Sequence, residues 1–374
     1  MIKYLGSKRR LVPALGAILE ACGARSAADL FTGTTRVAQE FKRRGARVWA
    51  NDTARYSEVL ARCYVATDAR AVDRAALETA LGRLNALPGR EGYFTETFCR
   101  RARYLHPRNG ARVDAMRDAL EREYARSPLF PVLLTSLLEA ADRVDSTTGV
   151  QMAYLKRWAP RAHRPLELRV PAILPGGGSA LRADALEAAR SLPEVDLAYL
   201  DPPYNQHSYR ANYHVWETLV AWDEPEHYGV ACKRADCRDP ANRSPYNSRR
   251  SIHRALADLV EAVRARLVVL SYNDESWVTL DELVAICAAR GAVRVLAFDS
   301  PRYVGARIGI HDRAGRRVGR VGRLRNLEYV LLAGPEDEVA AAVGAAAGGA
   351  STVAVGAAAG GASAAAPRAP APQW

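Results

Sequence analysis

The chain has 374 residues, 49% of them hydrophobic, enough for one large α/β domain plus a smaller unit with a sizeable buried core. Lys and Arg number 53 against 41 Asp and Glu, a net charge of +12 that favours a polyanionic partner. No run of about twenty apolar residues is present, the start Met1-Ile2-Lys3-Tyr4 lacks the apolar stretch of a signal peptide, and the six cysteines are scattered; a membrane protein and a disulfide scaffold are excluded, and a cytoplasmic protein with reduced thiols is expected.

Lys3-Tyr4-Leu5-Gly6-Ser7-Lys8 precedes Leu11, Leu15, Ile18 and Leu19 at helical spacing, so a loop runs into a helix. Gly6 allows close backbone approach to a ligand, Ser7 is a candidate N-cap, and Tyr4 and Lys8 offer a stacking face and a cation. Next come an apolar strand ending Ala28-Asp29-Leu30-Phe31, the turn Thr32-Gly33-Thr34-Thr35 and a helix with Val37, Ala38 and Phe41 on one face. This is the pattern of a dinucleotide-type βαβ unit. The second strand, Arg47 to Ala50, ends at Asn51-Asp52, where an acidic side chain about 20 residues past the turn is placed to hold a ribose.

From Tyr64 to Leu174 the βαβ rhythm is lost. Helical runs are predicted around Ala75 to Leu84, Val113 to Tyr124 and Leu129 to Val144. Arg100, Arg101, Arg103, Arg108 and Arg112 gather around Tyr104, His106 and Asn109, and Lys156, Arg157, Arg161 and Arg164 surround Trp158. Cations interleaved with aromatics and amides suit phosphate positioning and base contact, although solvated helix faces produce the same pattern. Arg182-Ala183-Asp184 resumes the α/β pattern, with Asp184 at a strand or helix edge.

Val195 to Leu200 reads as a buried strand leading into Asp201-Pro202-Pro203-Tyr204. The prolines fix φ and offer no N–H, so the Pro202 carbonyl is a directed acceptor beside the Asp201 carboxylate. Two convergent acceptors suit a planar amino group on a ring, and Tyr204 is placed to stack on that ring. Tyr209 to Trp222 reads as an aromatic helix over the site, and Glu224 to Arg250 as a long loop of the kind that makes a lid or binding loop. Within it, His227, Cys232 and Cys237 are too few for a zinc site, and no metal is expected.

A helix from Ile252 to Ala265, a strand from Leu267 to Tyr272, a helix from Leu280 to Arg290 and a strand from Val293 to Phe298 follow. Arg302 to Arg325 reads as strand, turn, strand, with Arg313, Arg316, Arg317, Arg320 and Arg323 as expected phosphate contacts, and Asn326 to Leu332 closes the sheet. Beyond Glu338 the chain is Ala, Gly, Ser and Pro, and a disordered tail is expected.

In the order of these parts the chain resembles the adenine-specific DNA methyltransferases of the D12 class, which include the bacterial Dam-type enzymes, over roughly Met1 to Gly334. Lys3 to Lys8 resembles that family's N-terminal cofactor motif, Asp29 to Gly33 its glycine loop, Asn51-Asp52 its ribose-binding acid and Asp201 to Tyr204 its catalytic tetrad. The resemblance implies a Rossmann-like, S-adenosylmethionine-dependent α/β fold with a helical target-recognition insertion and a C-terminal β-hairpin. Its division would be 1–66 and 175–334 for the catalytic domain, 67–174 for the insertion and 335–374 for the tail.

It further implies S-adenosylmethionine held by Tyr4, Gly6, Lys8, Phe31, Gly33, Asp52, Asp184 and Asp201, and methylation of adenine N6 by Asp201, Pro202, Pro203 and Tyr204. Double-stranded DNA and a cognate restriction endonuclease are the implied partners. A cytosine or RNA amine as acceptor, and a binding module without catalysis, remain alternatives. The family commonly carries a second glycine after the first; here Thr34 and Thr35 follow Gly33, and a β-branched residue resists φ > 0, so a wider loop or an ordinary conformation at Thr35 is expected.

Overall fold

A computed structural model describes residues 2–6, 8–152, 157–301, 325–347 and 352–355. Among these residues ten strands form: β1 (Ser26–Asp29), β2 (Arg47–Asn51), β3 (Gly178–Leu181), β4 (Val195–Leu200), β5 (His227–Tyr228), β6 (Lys233–Arg234), β7 (Ala265–Asn273), β8 (Ala292–Pro301), β9 (Arg325–Gly334) and β10 (Thr352–Val355). β5 and β6 pair only with each other, and the rest make one sheet in the order β10-β8-β9-β7-β4-β1-β2-β3. From β3 to β7 neighbours run parallel, while β9 is antiparallel to β7 and to β8. This is the Rossmann-like sheet expected.

β4 shows why the sheet is covered on both faces. Leu197 and Tyr199 pack with helices α1 (Val12–Ala21) and α2 (Arg36–Arg43), whereas Ala198 and Leu200 pack with α7 (Ala185–Ser191) and α10 (Ile252–Ala262). Alternate residues point to opposite faces, so an unbroken apolar strand requires helices on each. The strand's one carboxylate, Asp196, accepts from the Arg25 and Ser26 N–H groups, both at 2.9 Å, and pins the start of β1 to β4. The chain leaves β1 toward β2 on one side and returns to β4 on the other. A crevice is therefore left at the carboxyl ends of β1 and β4, the switch point at which such sheets bind ligands.

Between β2 and β3 lie α3 (Arg55–Ala61), α4 (Arg74–Ala86), α5 (Pro107–Tyr124) and α6 (Phe130–Arg143), around a core that includes Phe94, Phe98, Met116, Leu134 and Leu138. α5 begins earlier than its apolar periodicity suggests, because Pro107 suits the first helical position and the His106 side chain accepts from the Arg108 N–H. The predicted aromatic helix after β4 is two short ones, α8 (Tyr209–Asn212) and α9 (His214–Ala221). α11 (Leu280–Cys287) carries a Thr279/Glu282 capping box. Among the described residues no helix is long and apolar enough to cross a membrane.

The expected tail is corrected by the structure over its first part. Residues Glu336–Ala347 form helix α12, and Thr352–Val355 pairs with β8 as β10. Val339, Ala342 and Ala346 recur at helical spacing and are fully buried in the cluster that holds Leu15, Ile18 and Leu332. An alanine-rich stretch passes for low complexity, yet alanine is the strongest helix former and its small side chain permits close packing. Val339→Asp, which buries an unpaired charge, is expected to destabilise the protein by about 3 kcal/mol in urea unfolding. An unchanged midpoint would contradict this packing.

Candidate active site

Strand tips set the floor of the crevice. After β1, Gly33 takes φ +49° and donates its N–H to Asp52 Oδ2 at 2.9 Å, joining the turn to the tip of β2. A Cβ on Gly33 would lie 3.0 Å from the Tyr4 ring, so glycine is required both for the conformation and for the approach of the N-terminal segment. Asp52 Oδ1 accepts from the Ala54 N–H at 3.0 Å, and burial holds this carboxyl above its usual range. Asn51 binds the Leu30 and Ala183 carbonyls and accepts from the Ala183 N–H, bracketing the tips of three strands. Its position beside Asp52 was visible in the sequence, but its bracketing role depends on β3, too short to read.

The expectation for Thr35 is corrected: φ is +63° and ψ 15°, in the left-handed region. The cost of such a conformation for a β-branched residue, about 1–2 kcal/mol, is offset by hydrogen bonding. The Thr35 N–H donates to the Thr32 carbonyl at 2.6 Å, its hydroxyl donates to the Thr34 carbonyl at 2.7 Å, and the Gln39 side-chain amide donates to that hydroxyl at 2.8 Å. The hydroxyl lets threonine serve where glycine is customary.

The crevice opens into a cavity of about 340 Å³ that brings together Tyr4, Gly6, Phe31, Gly33, Asp52, Asp184, Asp201 and Pro203. Asp184 also caps α7, accepting from the Leu186 N–H at 2.8 Å. Lys8 stands in an adjoining recess with Asp29, Arg36 and Asp201. Pro202 is buried, and the Tyr204 ring meets Tyr272 edge-on at 6.0 Å. Tyr4 stacks near-parallel on Tyr213 at 4.6 Å and on Tyr209 at 5.3 Å, so part of its ring surface is already engaged. Ser7 and Arg313, Arg316, Arg317, Arg320 and Arg323 lie outside the described residues.

Residues 241–247 of the long loop close one wall of this cavity. Tyr246 is buried with its ring edge-on to Phe31 at 5.2 Å and 89°, and the Asn247 amide donates to the Asn205 carbonyl at 2.6 Å, just past Tyr204. The sequence marked this stretch as a loop beside the site, but single contacts within it follow from the tertiary path alone.

The charges are concentrated around Lys8. Its ammonium forms an ion pair with Asp201 Oδ1 at 3.0 Å and a closer one with Glu328, a residue of β9; the three side chains are 10%, 20% and 12% exposed. Burial pushes the Asp201 carboxyl up to about 6 against the opposing pull of Lys8. Burial also pushes Asp29, which pairs with Tyr199 two residues before Asp201, up to about 7. Lys8 is thus committed to protein carboxylates rather than offered as a free cation. Glu328 escaped the sequence reading, which passed over the lone acid in an apolar strand.

Several of the cationic and aromatic residues between β2 and β3 are engaged within the protein. Asn109 and Arg112 spend their side chains on backbone carbonyls, Tyr104 is buried, Arg100 pairs with Glu91, Arg101 with Glu96 and Arg161 with Asp145. Arg103 lies over the half-buried Trp158 ring at 4.9 Å, with Arg108, Arg157 and Arg164 exposed nearby in sequence or space. Lys156 lies outside the described residues.

The model of the D12 class N6 adenine-specific DNA methyltransferases matches residues 4–286. The type II methyltransferase M.NlaIII of Neisseria lactamica is 31% identical over 318 residues, covering 81% of this chain and 92% of that protein. The modification methylase StsI of Streptococcus sanguinis and the type II methyltransferase M.FokI of Planomicrobium okeanokoites are each 28% identical, over 76% and 78% of this chain. The chain spans about half the length of these two, 46% and 47%.

Thr35→Val keeps the left-handed strain and removes the hydroxyl, leaving the buried Gln39 amide without its acceptor. A loss of about 2 kcal/mol is expected in urea unfolding. A variant as stable as the parent would show that the hydroxyl does not compensate the turn.

Proposed function

The chain belongs to the D12 class N6 adenine-specific DNA methyltransferases, and from that premise we propose that S-adenosylmethionine occupies the crevice cavity and that Asp201, Pro202, Pro203 and Tyr204 hold the target adenine. The single observation that carries this reading is the meeting of the cavity with Asp201 at the mouth of the switch-point crevice. Asp52, aimed into the cavity from the tip of β2, is the candidate for the ribose hydroxyls. Phe31 and Tyr246 offer apolar walls for a purine, and Tyr4, Gly6, Lys8, Gly33 and Asp184 complete the surroundings. When bound, S-adenosylmethionine supplies a methyl group on a positively charged sulfur.

The chain's own residues do the rest. The adenine leaves the duplex at a cost of a few kcal/mol, offset by stacking on Tyr204 and by hydrogen bonds from its amine to the Asp201 carboxylate and the Pro202 carbonyl. Both acceptors draw the amine hydrogens aside and direct the nitrogen lone pair, so orientation supplies much of the acceleration. Asp201 need not abstract a proton beforehand, because the nitrogen becomes acidic as it acquires the methyl group. The insertion, residues 67–174, and the basic stretch Arg313, Arg316, Arg317, Arg320 and Arg323 are the proposed DNA contacts, with phosphate neutralisation favoured by the +12 charge. The names of the relatives, modification methylase and type II methyltransferase, support pairing with a restriction endonuclease of the same specificity.

Methyl transfer from labelled S-adenosylmethionine to unmethylated genomic DNA, followed by digestion to nucleosides, tests the reading. Label is expected in N6-methyladenine, and Asp201→Ala is expected to lower the rate by on the order of 10²–10³ while donor binding persists. The active form is the carboxylate, so the rate should be flat above the Asp201 midpoint and fall as the pH drops through about 6. Label in cytosine or RNA, or an Asp201→Ala variant of full activity, would overturn the assignment.

A further inference from the structure

Glu328 is the one carboxylate of β9 and faces Asn273 across the β7 ladder, inside the sheet. A buried carboxylate is costly unless paired and hydrogen-bonded. Here Glu328 takes the Lys8 ammonium and accepts from the Ser271 hydroxyl at 2.9 Å and the Asn273 amide at 3.4 Å. Although its burial pushes the other way, Lys8 and these hydrogen bonds hold the carboxyl below its usual range. Lys8, for its part, reaches Asp201 Oδ1 at 3.0 Å. Two carboxylates share one ammonium, which leaves the cluster with one excess negative charge beside the proposed methylation site.

We propose that Glu328 is a positioning residue for methyl transfer: it draws the Lys8 ammonium between two carboxylates, so that Lys8 orients Asp201 without consuming its capacity to accept the adenine amine. This inference rests on the reading of Asp201 as the amine's acceptor. The amine nitrogen acquires positive charge as its bond to the methyl group forms, and a fixed excess of negative charge beside it stabilises that change. With a neutral residue at 328, Lys8 would turn wholly to Asp201, neutralise it and compete with the amine for its oxygens. The other titratable groups around Asp201 are Asp29 at the end of β1, Arg36 in the same recess, Tyr199 on β4, and Tyr204 and Tyr209; the side-chain hydrogen bond that Lys8 makes among the described residues goes to Glu328.

Glu328→Gln keeps the shape and removes the charge; its one oxygen still accepts from Ser271, while its amide nitrogen replaces the oxygen that accepts from Asn273. Two readouts are needed, the carboxyl ¹³C titration of Asp201 by NMR and the pH profile of the single-turnover methylation rate. Glu328 raises the Asp201 midpoint and its loss lowers it, so both the titration and the acid limb of the rate should move to lower pH. The plateau rate should fall by about tenfold or more, the equivalent of one lost charge-assisted hydrogen bond at a fixed site. Ser271→Ala leaves the Glu328 charge in place and removes a donor that competes with Lys8, so Lys8 is drawn toward Glu328 and both the Asp201 titration and the acid limb should move slightly the opposite way, to higher pH; it decides the matter if Glu328→Gln does not fold. An unmoved Asp201 titration, or an unchanged plateau rate, overturns this inference alone. A titration that moves while the rate profile stays in place overturns the acceptor role of Asp201, and this inference with it.

Discussion

A carboxylate at the end of a buried strand keeps its charge only if a cation reaches it, and at the tip of β4 that cation is Lys8. The lysine comes from the first residues of the chain, and its partner Glu328 from one of the last strands of the sheet. The ion pair therefore requires β4, β7 and β9 side by side, with the N-terminal segment crossing the carboxyl ends of β4 and β7 where the antiparallel β9 begins. Tyr4 on the same segment rests against Gly33, and the Leu5 N–H donates to the Tyr213 hydroxyl at 2.6 Å. One short stretch of chain thus contacts the glycine turn, the region after the tetrad and the sheet interior together.

The pocket proposed for the donor follows from the same switch-point geometry. Gly33, Asp52 and Asn51 connect adjacent strand tips, so the cavity wall is made of elements the sheet already holds rigid. The opposite wall is different in kind. Residues 241–247 come from an irregular loop, fastened through Tyr246 to Phe31 and through Asn247 to the backbone after Tyr204. That wall is tied both to the cavity, through Phe31, and to the backbone just past Tyr204, and so joins the two parts of the proposed site. Loop walls of this sort open at lower cost than strands do, which suits the exchange of a spent donor.

The parallel sheet, the glycine turn, Asp52 and the tetrad were legible because each is a local pattern: apolar alternation, a glycine at a strand end, an acid at a fixed spacing, two prolines after a carboxylate. Residues whose meaning lies in a distant partner were not. Glu328 sits in an apolar strand and becomes intelligible only once Lys8, 320 residues away, is found against it. Arg112 and Asn109 looked like nucleic-acid contacts because composition cannot tell a solvated arginine from one spent on three carbonyls. Thr35 contradicted a sound steric rule, since its hydroxyl supplies compensation that backbone preference ignores. Helix α12 was hidden by a composition that reads as a linker until the spacing of Val339, Ala342 and Ala346 is set against α1.

The central claim is that one crevice holds the methyl donor and presents Asp201 at its edge. The most direct measurement is a crystal structure of the protein with S-adenosylhomocysteine bound. The ribose hydroxyls are expected on Asp52, the adenine alongside the wall that Phe31 and Tyr246 make together, and the sulfur on the Asp201 side of the cavity. A ligand seated elsewhere, or one whose sulfur points away from Asp201, would contradict it.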